Sequence, residues 1–207
     1  MMSFNNEIFK NLCVVSAPSG AGKTSLIKKI SKKNNIIVSI SQTTRKPRVG
    51  EKDGEDYFFV DNEVFQENIK KEAYLEYAFV HENYYGTLID SVVNLIEKNF
   101  LVILEIDFQG AEIIKQKLPS SRNIFILPPS LSELEKRLRD RGTDEEDVIL
   151  RRLENAKLEI SMAKNYDYII VNDDFSRAEE KLLKFISDKD MVIQEEIRKE
   201  PLIDNDF

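Results

Sequence analysis

Short apolar runs alternate with longer amphipathic stretches along this chain. The runs at 12–16, 36–40, 101–106, 123–127 and 168–172 are rich in Val and Ile and bounded by polar residues. They do not alternate apolar with polar positions, so they read as strands buried on both faces of a parallel sheet. Between them, helical spacing of apolar residues covers 22–33, 88–99, 109–117, 130–140, 144–163 and 175–188. Ser130 with Glu133, and Thr143 with Glu146, have the spacing of a capping box, in which a hydroxyl and a carboxylate close the first turn of a helix. Such alternation predicts an α/β fold: a parallel sheet flanked by helices on both faces.

The rhythm breaks between residues 41 and 86. Two turn-rich loops enclose short aromatic strands, YFFV at 57–60 and YLEYAFV at 74–80, with a helix over 62–71. This segment is expected to form a small mixed lobe inserted after the second strand. The glycines sharpen the map. Gly20, Gly22, Gly50, Gly54, Gly86, Gly110 and Gly142 fall beside basic, aromatic or strand-end positions, where backbone must turn or approach something closely. The stretch from residue 190 onward is polar and acidic and reads as a loosely docked tail.

Composition narrows the class. At 207 residues, 42% hydrophobic and 32% charged, the chain suits one soluble globular domain with a lobed insertion. No apolar run is long enough to span a membrane, and MMSFNNEIFKN lacks the basic and apolar regions of a signal peptide. The lone cysteine, Cys13, is expected in the core, which fits a reducing, cytoplasmic setting. A net charge of −7 argues against a nucleic-acid surface. Basic residues cluster locally instead, at Arg45-Lys46-Arg48 and at Arg137, Arg139, Arg141, Arg151 and Arg152, as focused anion sites would require.

The first such site is an apolar strand running into Ala17-Pro18-Ser19-Gly20-Ala21-Gly22-Lys23-Thr24 and then a helix. This is a phosphate-binding loop with Ala17 in place of its first glycine. Gly20 and Gly22 let the backbone turn its N–H groups onto phosphate oxygens, and the helix adds its positive dipole end. Lys23 is suited to reach the β- and γ-phosphates, and Thr24 to ligate Mg²⁺. The implied ligand is a nucleoside triphosphate.

A second phosphate cradle lies in 41-SQTTRKPRVGEKDGEDY-57, where Arg45, Arg48 and Tyr57 offer guanidinium forks and a hydroxyl. It implies a second, phosphorylated substrate. Downstream, 74-YLEYAFVHENYYGT-87 carries a carboxylate, Glu76. By residue type alone Glu76 reads as a solvated strand residue. The single histidine, His81, receives no role.

Taken together, SAPSGAGKT, SQTTRKPRVGE with Tyr57, LEYA, NYYGT, EIDFQGA, IFILPPS, RLRDRG and YIIVNDD make the chain resemble the guanylate kinases, in family order and up to residue 189. The resemblance implies transfer of the γ-phosphoryl group of ATP to GMP, and to dGMP, with Mg²⁺ accompanying ATP. It implies a P-loop core of 1–40, 88–128 and 165–189, a GMP-binding lobe of 41–87, a lid of 129–164 and a tail of 190–207. Catalytic roles fall on Lys23, Arg48, Arg141 and Arg152. ATP binding falls on Ala17 through Thr24, Arg137 and Asn172, and GMP binding on Ser41, Arg45, Arg48, Tyr57, Glu76, Tyr85, Thr87 and Glu105. Within this scheme Glu76 accepts from guanine N1–H and the exocyclic amine. Thr24 holds the metal, with Asp107 as a second candidate.

This chain has Glu105 where the family commonly has Asp, and His81-Glu82 where a glycine often precedes NYY. Two other readings stay open on sequence: a kinase for another nucleoside monophosphate, or a non-catalytic guanylate-kinase-like module that binds protein partners. Monomer and homo-oligomer are both compatible with the sequence.

Overall fold

Leu12–Ser16 (β1) is buried along its whole length and leads into Lys23–Ile30 (α1). A computed structural model describes residues 8–31, 35–80, 82–140, 142 and 145–187. Next come Ile36–Val38 (β2), Gln42–Thr43 (β3), Phe58–Phe59 (β4), Asn62–Lys70 (α2), Tyr74–Val80 (β5) and Asn83–Leu88 (β6). The chain continues through Ile89–Glu97 (α3), Leu101–Glu105 (β7), Phe108–Lys117 (α4), Arg122–Leu127 (β8) and Leu131–Asp140 (α5). Glu146–Ser161 (α6), Tyr168–Val171 (β9) and Phe175–Ser187 (α7) complete the described elements. One sheet has the order β2-β7-β1-β8-β9 and is parallel, as the five uninterrupted apolar runs predict. Among the described residues no helix is long and apolar enough to cross a membrane.

The chain divides into two compact units. The first comprises Met1–Cys13 and Asn35–Ser121. It contains the parallel β2–β7 pair and a second sheet in the order β4-β3-β6-β5. In that second sheet β3 pairs parallel with β4 and antiparallel with β6, and β5 pairs antiparallel with β6. Phe65 of α2, fully buried, stacks on Tyr74 at 4.4 Å between ring centroids and on Tyr84 at 5.2 Å. These aromatics are why the inserted segment has a core of its own.

The second unit comprises Val14–Asn34 and Arg122–Phe207. Parallel β8 and β9 carry its core, and Leu134, Leu138, Ile149 and Ala156 join α5 to α6. Arg139 clamps the same two helices, donating to Glu135 and to Glu146. Arg139 is thus an exposed residue engaged by two carboxylates.

The α/β expectation holds, with instructive differences in detail. The expected helix 22–33 is shorter, Lys23–Ile30, because Gly22 has a left-handed backbone and only caps it. β6 was not anticipated, since Gly86 within NYYGTL looks like a turn. Gly86 instead lies in mid-strand, where a Cβ would come within 2.9 Å of Tyr74 and 3.0 Å of Phe65, so the residue serves close approach rather than bending. At α5 only half of the capping box forms. The Glu133 N–H donates to Ser130 Oγ at 3.1 Å, while the Glu133 carboxylate accepts from Arg137. Thr143, His81 and the tail from 190 lie outside the described residues.

Phe65 is the keystone of the aromatic stack. Replacing it with alanine should cost about 3–5 kcal/mol, as for other fully buried aromatics. Urea denaturation should find this loss, and a change under about 1 kcal/mol would mean that the stack collapses to fill the cavity.

Candidate functional site

In the second unit the phosphate loop is shaped by backbone. The Ala21 N–H donates to Pro18 O at 3.1 Å, closing a tight turn, and Gly20 and Gly22 sit at φ 99° and 95°. Side chains rarely adopt that conformation, and at Gly22 a Cβ would also lie 2.4 Å from Asn172 Nδ2. Gly22, at the N-cap of α1, offers no side-chain cap, so the helix start presents its positive dipole end, suited to an anion. Lys23 opens α1 and the exposed Thr24 follows it in the first turn. Ala17 and Gly20 are half-buried, Pro18 and Ala21 are buried, and Ser19 is exposed.

Asn172 holds this loop from behind. Its Nδ2 donates to Ala21 O at 2.7 Å, and its own backbone N–H donates to Leu127 O at 2.8 Å. Arg137 adds a further link, donating from Nη2 to Asn172 O at 3.1 Å and from Nε to Glu133 at 2.9 Å. The structure thus brings Arg137, Asn172 and the loop together. Sequence reading offers Arg137 and Asn172 only as ligand contacts and misses this bracing. Arg152 is half-buried on α6, and Arg141 lies outside the described residues.

The first unit gathers the other predicted residues into two groups. One surrounds Arg45. Its Nη1 and Nη2 donate to the two oxygens of Glu51 at 3.0 and 2.9 Å, Nη1 also donates to Lys46 O, and Nε donates to Tyr85 Oη at 3.2 Å. Of the five guanidinium protons, one on Nη2 is left. Burial works against the Arg45 charge, but the bonds to Glu51 and Tyr85 outweigh it and raise its pKa. The Arg45 hydrogen bonds in turn hold the Glu51 carboxyl below its ordinary range.

Glu51 also accepts from the Arg48 N–H at 2.7 Å, so one carboxylate shapes the whole loop and leaves the Arg48 guanidinium exposed. Tyr57 stands edge-on to Tyr85 at 5.9 Å, with the Arg45 guanidinium 5.5 Å from its ring centroid. Burial, and then the negative charge of Glu105, push the Tyr57 hydroxyl up to about 12, so it keeps its proton and can donate. Sequence reading passed over Glu51. Its signal was a carboxylate three residues after Arg48, directly behind the Arg45-Lys46-Arg48 cluster.

The second group surrounds Glu76, and here the solvated-strand expectation fails. Glu76 is 3% exposed. Tyr74 pairs with Leu88 but Glu76 pairs with Thr87, so Leu75 is an extra residue, a bulge that re-aims the strand. The fully buried Thr87 donates to Glu76 Oε1 at 2.6 Å, and Ser41 Oγ lies 3.1 Å from Thr87 Oγ1. Since the Thr87 proton goes to Glu76, Ser41 donates to Thr87 and keeps its own lone pairs for another donor.

The other carboxylate oxygen faces α4, where a Cβ on Gly110 would lie 2.6 Å from Oε2. Asp107 caps that helix by accepting from the Gly110 N–H at 2.9 Å. Burial raises the Glu76 pKa to about 7; Asp107 adds to the rise, while the Thr87 hydrogen bond and Lys117 oppose it. Glu105, half-buried at the end of β7, acts on Tyr57 rather than on Glu76.

A pH dependence of stability follows from this burial. The folded protein keeps the Glu76 proton up to about pH 7, whereas the unfolded chain releases it near the ordinary value of 4.5. Between these values the native state binds more protons, so the stabilising contribution, full at low pH, is lost as pH rises through this window. Urea titrations at pH 5 and pH 8 should show wild type losing on the order of 2–3 kcal/mol more than Glu76→Gln. Equal losses would place the Glu76 charge in contact with water.

Comparison with known proteins places this geometry in a family. The sequence profile of the family described as guanylate kinase matches residues 9–189. The chain is 51% identical over 170 residues to the guanylate kinase of Escherichia coli (strain K12), covering 81% of this chain and 82% of that protein. It is 47% identical over 178 residues to the guanylate kinase of Prochlorococcus marinus subsp. pastoris, covering 86% and 97%. The crystal structure of guanylate kinase from Anaplasma phagocytophilum superposes with a TM-score of 0.70 at 34% identity, covering 87% of this chain and 86% of that one. With the family profile matching residues 9–189 and relatives about half identical over most of its length, the chain belongs to the guanylate kinase family.

Proposed function

We propose that this chain is a cytoplasmic guanylate kinase that transfers the γ-phosphoryl group of ATP to GMP, and to dGMP, giving ADP and the nucleoside diphosphate. The observation that carries the reading is the buried Glu76 carboxylate, which among the described residues accepts from the Thr87 hydroxyl and N–H and has Oε2 beside Gly110. Guanine presents two adjacent donors, N1–H and the 2-amino group, that such a carboxylate can accept. Adenine has no such pair and would leave the buried charge unmatched, which is costly. Ser41, with free lone pairs, accepts a further proton from the base side.

The acceptor phosphate is held by the remaining Arg45 proton, the exposed Arg48 guanidinium and the hydroxyls of Tyr57 and Tyr85. Tyr85 uses its lone pair on Arg45 Nε, so its proton is free to point to phosphate. Glu105 supports this group through Tyr57. Asp107, engaged with Gly110, supplies negative charge on the base side and is better suited to that than to a metal.

ATP is cradled by the loop at residues 17–24 through its backbone N–H groups, except at Pro18, which has none, and Ala21, whose N–H closes the turn, with Arg137 and Asn172 on the side of the adenine. Lys23 neutralises the β- and γ-phosphates, and Arg141 and Arg152 of the lid neutralise the transferred phosphoryl group. The residues suit Mg²⁺. Gly20 and Gly22 hold the left-handed turns that shape the loop, and the exposed Thr24 hydroxyl at the start of α1 would hold an ion shared with ATP phosphate oxygens. When bound, the ion supplies charge neutralisation between the β- and γ-phosphates. No general base is required, because the acceptor oxygen of GMP is already ionised. Catalysis is positioning and electrostatics.

Side-by-side assays with ATP, Mg²⁺ and GMP, AMP, UMP, CMP or dTMP test this reading. GMP should be the preferred acceptor, and AMP as the best acceptor would overturn it, while no turnover at all would favour a binding module. Lys23→Ala should lower kcat by roughly 10²–10³, the loss expected for one preorganised stabiliser. Glu51→Gln should raise KM for GMP roughly tenfold by releasing Arg45, with KM for ATP little changed. An unaltered KM for GMP would remove Glu51 from the acceptor site.

A further inference from the structure

We propose that Lys117 is a specificity-determining positioning residue: from the last turn of α4 its ammonium locks the β5 bulge that aims Glu76 at the base. The proposal rests on the reading of Glu76 as the guanine acceptor. Lys117 Nζ donates to Leu75 O at 2.7 Å. Leu75 is the residue that the bulge takes out of register, and its neighbour is Glu76. A bulge disturbs the ladder and leaves backbone groups in need of other partners. A charged donor on this carbonyl fixes the direction of the chain one residue before the carboxylate.

Helix α4 therefore touches the Glu76 environment at both ends. At its head, Asp107 caps the helix through Gly110, whose lack of a side chain admits Glu76 Oε2. At its tail, Lys117 holds the bulge. A ten-residue helix is a rigid strut of about 15 Å, so the two contacts set the carboxylate between fixed points.

The charges around Glu76 make Lys117 stand out. From α4, Asp107 pushes the Glu76 pKa up and Lys117 pulls it down; from β6, the Thr87 hydroxyl pulls it down. On β5, Glu76 itself raises the Tyr74 hydroxyl. Glu72, just before β5, acts on Lys117 together with Glu76, opposing the burial that lowers the Lys117 pKa. Lys117 is the cation among these neighbours, and it favours the ionised Glu76 that accepts both guanine donors.

Lys117→Met keeps the stem and removes both the charge and the donor, and Lys117→Arg restores them. In the full-length protein, calorimetric titration with GMP and steady-state kinetics from pH 6 to 9 read the effect. Lys117→Met should raise Kd and KM for GMP roughly ten- to hundredfold, the span of one charge-assisted hydrogen bond. KM for ATP and kcat at saturating GMP should stay within about twofold, the signature of lost acceptor binding alone. The acid limb of kcat/KM for GMP should move upward by about half a pH unit, since ionised Glu76 loses a nearby cation. Lys117→Arg should recover most of both changes.

Unchanged GMP affinity in Lys117→Met overturns the proposal. So does a parallel loss of GMP affinity, ATP kinetics and Tm with no movement of the acid limb, which would mark a purely structural lysine. Failure of wild type to bind or phosphorylate GMP would overturn the parent reading as well, whereas normal wild-type turnover with an indistinguishable Lys117→Met would sink this proposal alone.

Discussion

A carboxylate that folding removes from water is the constraint around which the first unit is arranged. Glu76 is nearly inaccessible, yet its one side-chain donor among the described residues is the Thr87 hydroxyl. An ionised carboxylate in that setting is costly, which is why its pKa rises to about 7. Several otherwise unrelated features accommodate this one group. The Leu75 bulge turns it inward, Gly110 has no side chain to collide with it, and Ser41 supports the hydroxyl that supports it. A site left short of donors in the free protein has something to gain from a ligand that brings two. The same shortage penalises a ligand that brings none.

The two phosphate-recognition elements solve a common problem by different means. The loop at residues 17–24 relies on backbone: two left-handed glycines, an uncapped helix start and the Ala21 carbonyl pinned by Asn172. The loop at 45–57 relies on side chains, and these need a counterweight. Glu51 occupies most of the Arg45 fork and the Arg48 N–H, so the guanidinium is held in place before any phosphate arrives. That arrangement leaves Arg45 a single proton to offer, so in the proposed reading phosphate would fall mainly to Arg48 and the tyrosine hydroxyls. An arginine pair in sequence suggests two equal forks. The geometry makes one a braced scaffold and the other an exposed donor.

How much of this was legible beforehand depended on whether the determining contact was local. The five buried strands and the helices between them follow from hydrophobic periodicity, and their bounds moved by a few residues where caps intervened, as at Gly22. The phosphate loop was legible because its parts are contiguous. Glu76 was not legible by residue type, since its burial is decided by a bulge and by pairing with Thr87 eleven positions away. The resemblance to a family supplied what periodicity could not. Strand β6 stayed hidden because Gly86 in sequence signals a turn, whereas its purpose is to let Phe65 and Tyr74 lie against the backbone. Glu51 and Lys117 are charged residues among many others, and nothing short of their coordinates separates them from the solvated majority.

Within the second unit, Asn172 makes the arginine helix and the phosphate loop parts of one braced structure. Its side chain carries the Ala21 carbonyl, its backbone carbonyl carries Arg137, and its N–H extends the sheet to Leu127. Gly22 is confined by the same amide, since any side chain there would strike it. A residue bonded in three directions cannot rotate toward a ligand without releasing the loop. Asn172 therefore sets the shape of residues 20–22, and in the proposed reading it would act on ATP through that shape. Arg137 is restrained in the same way, one nitrogen on Glu133 and another on Asn172, which fixes the last turn of α5 against the residue after β9. The bonds that hold these two residues also set which of their atoms remain available to ATP.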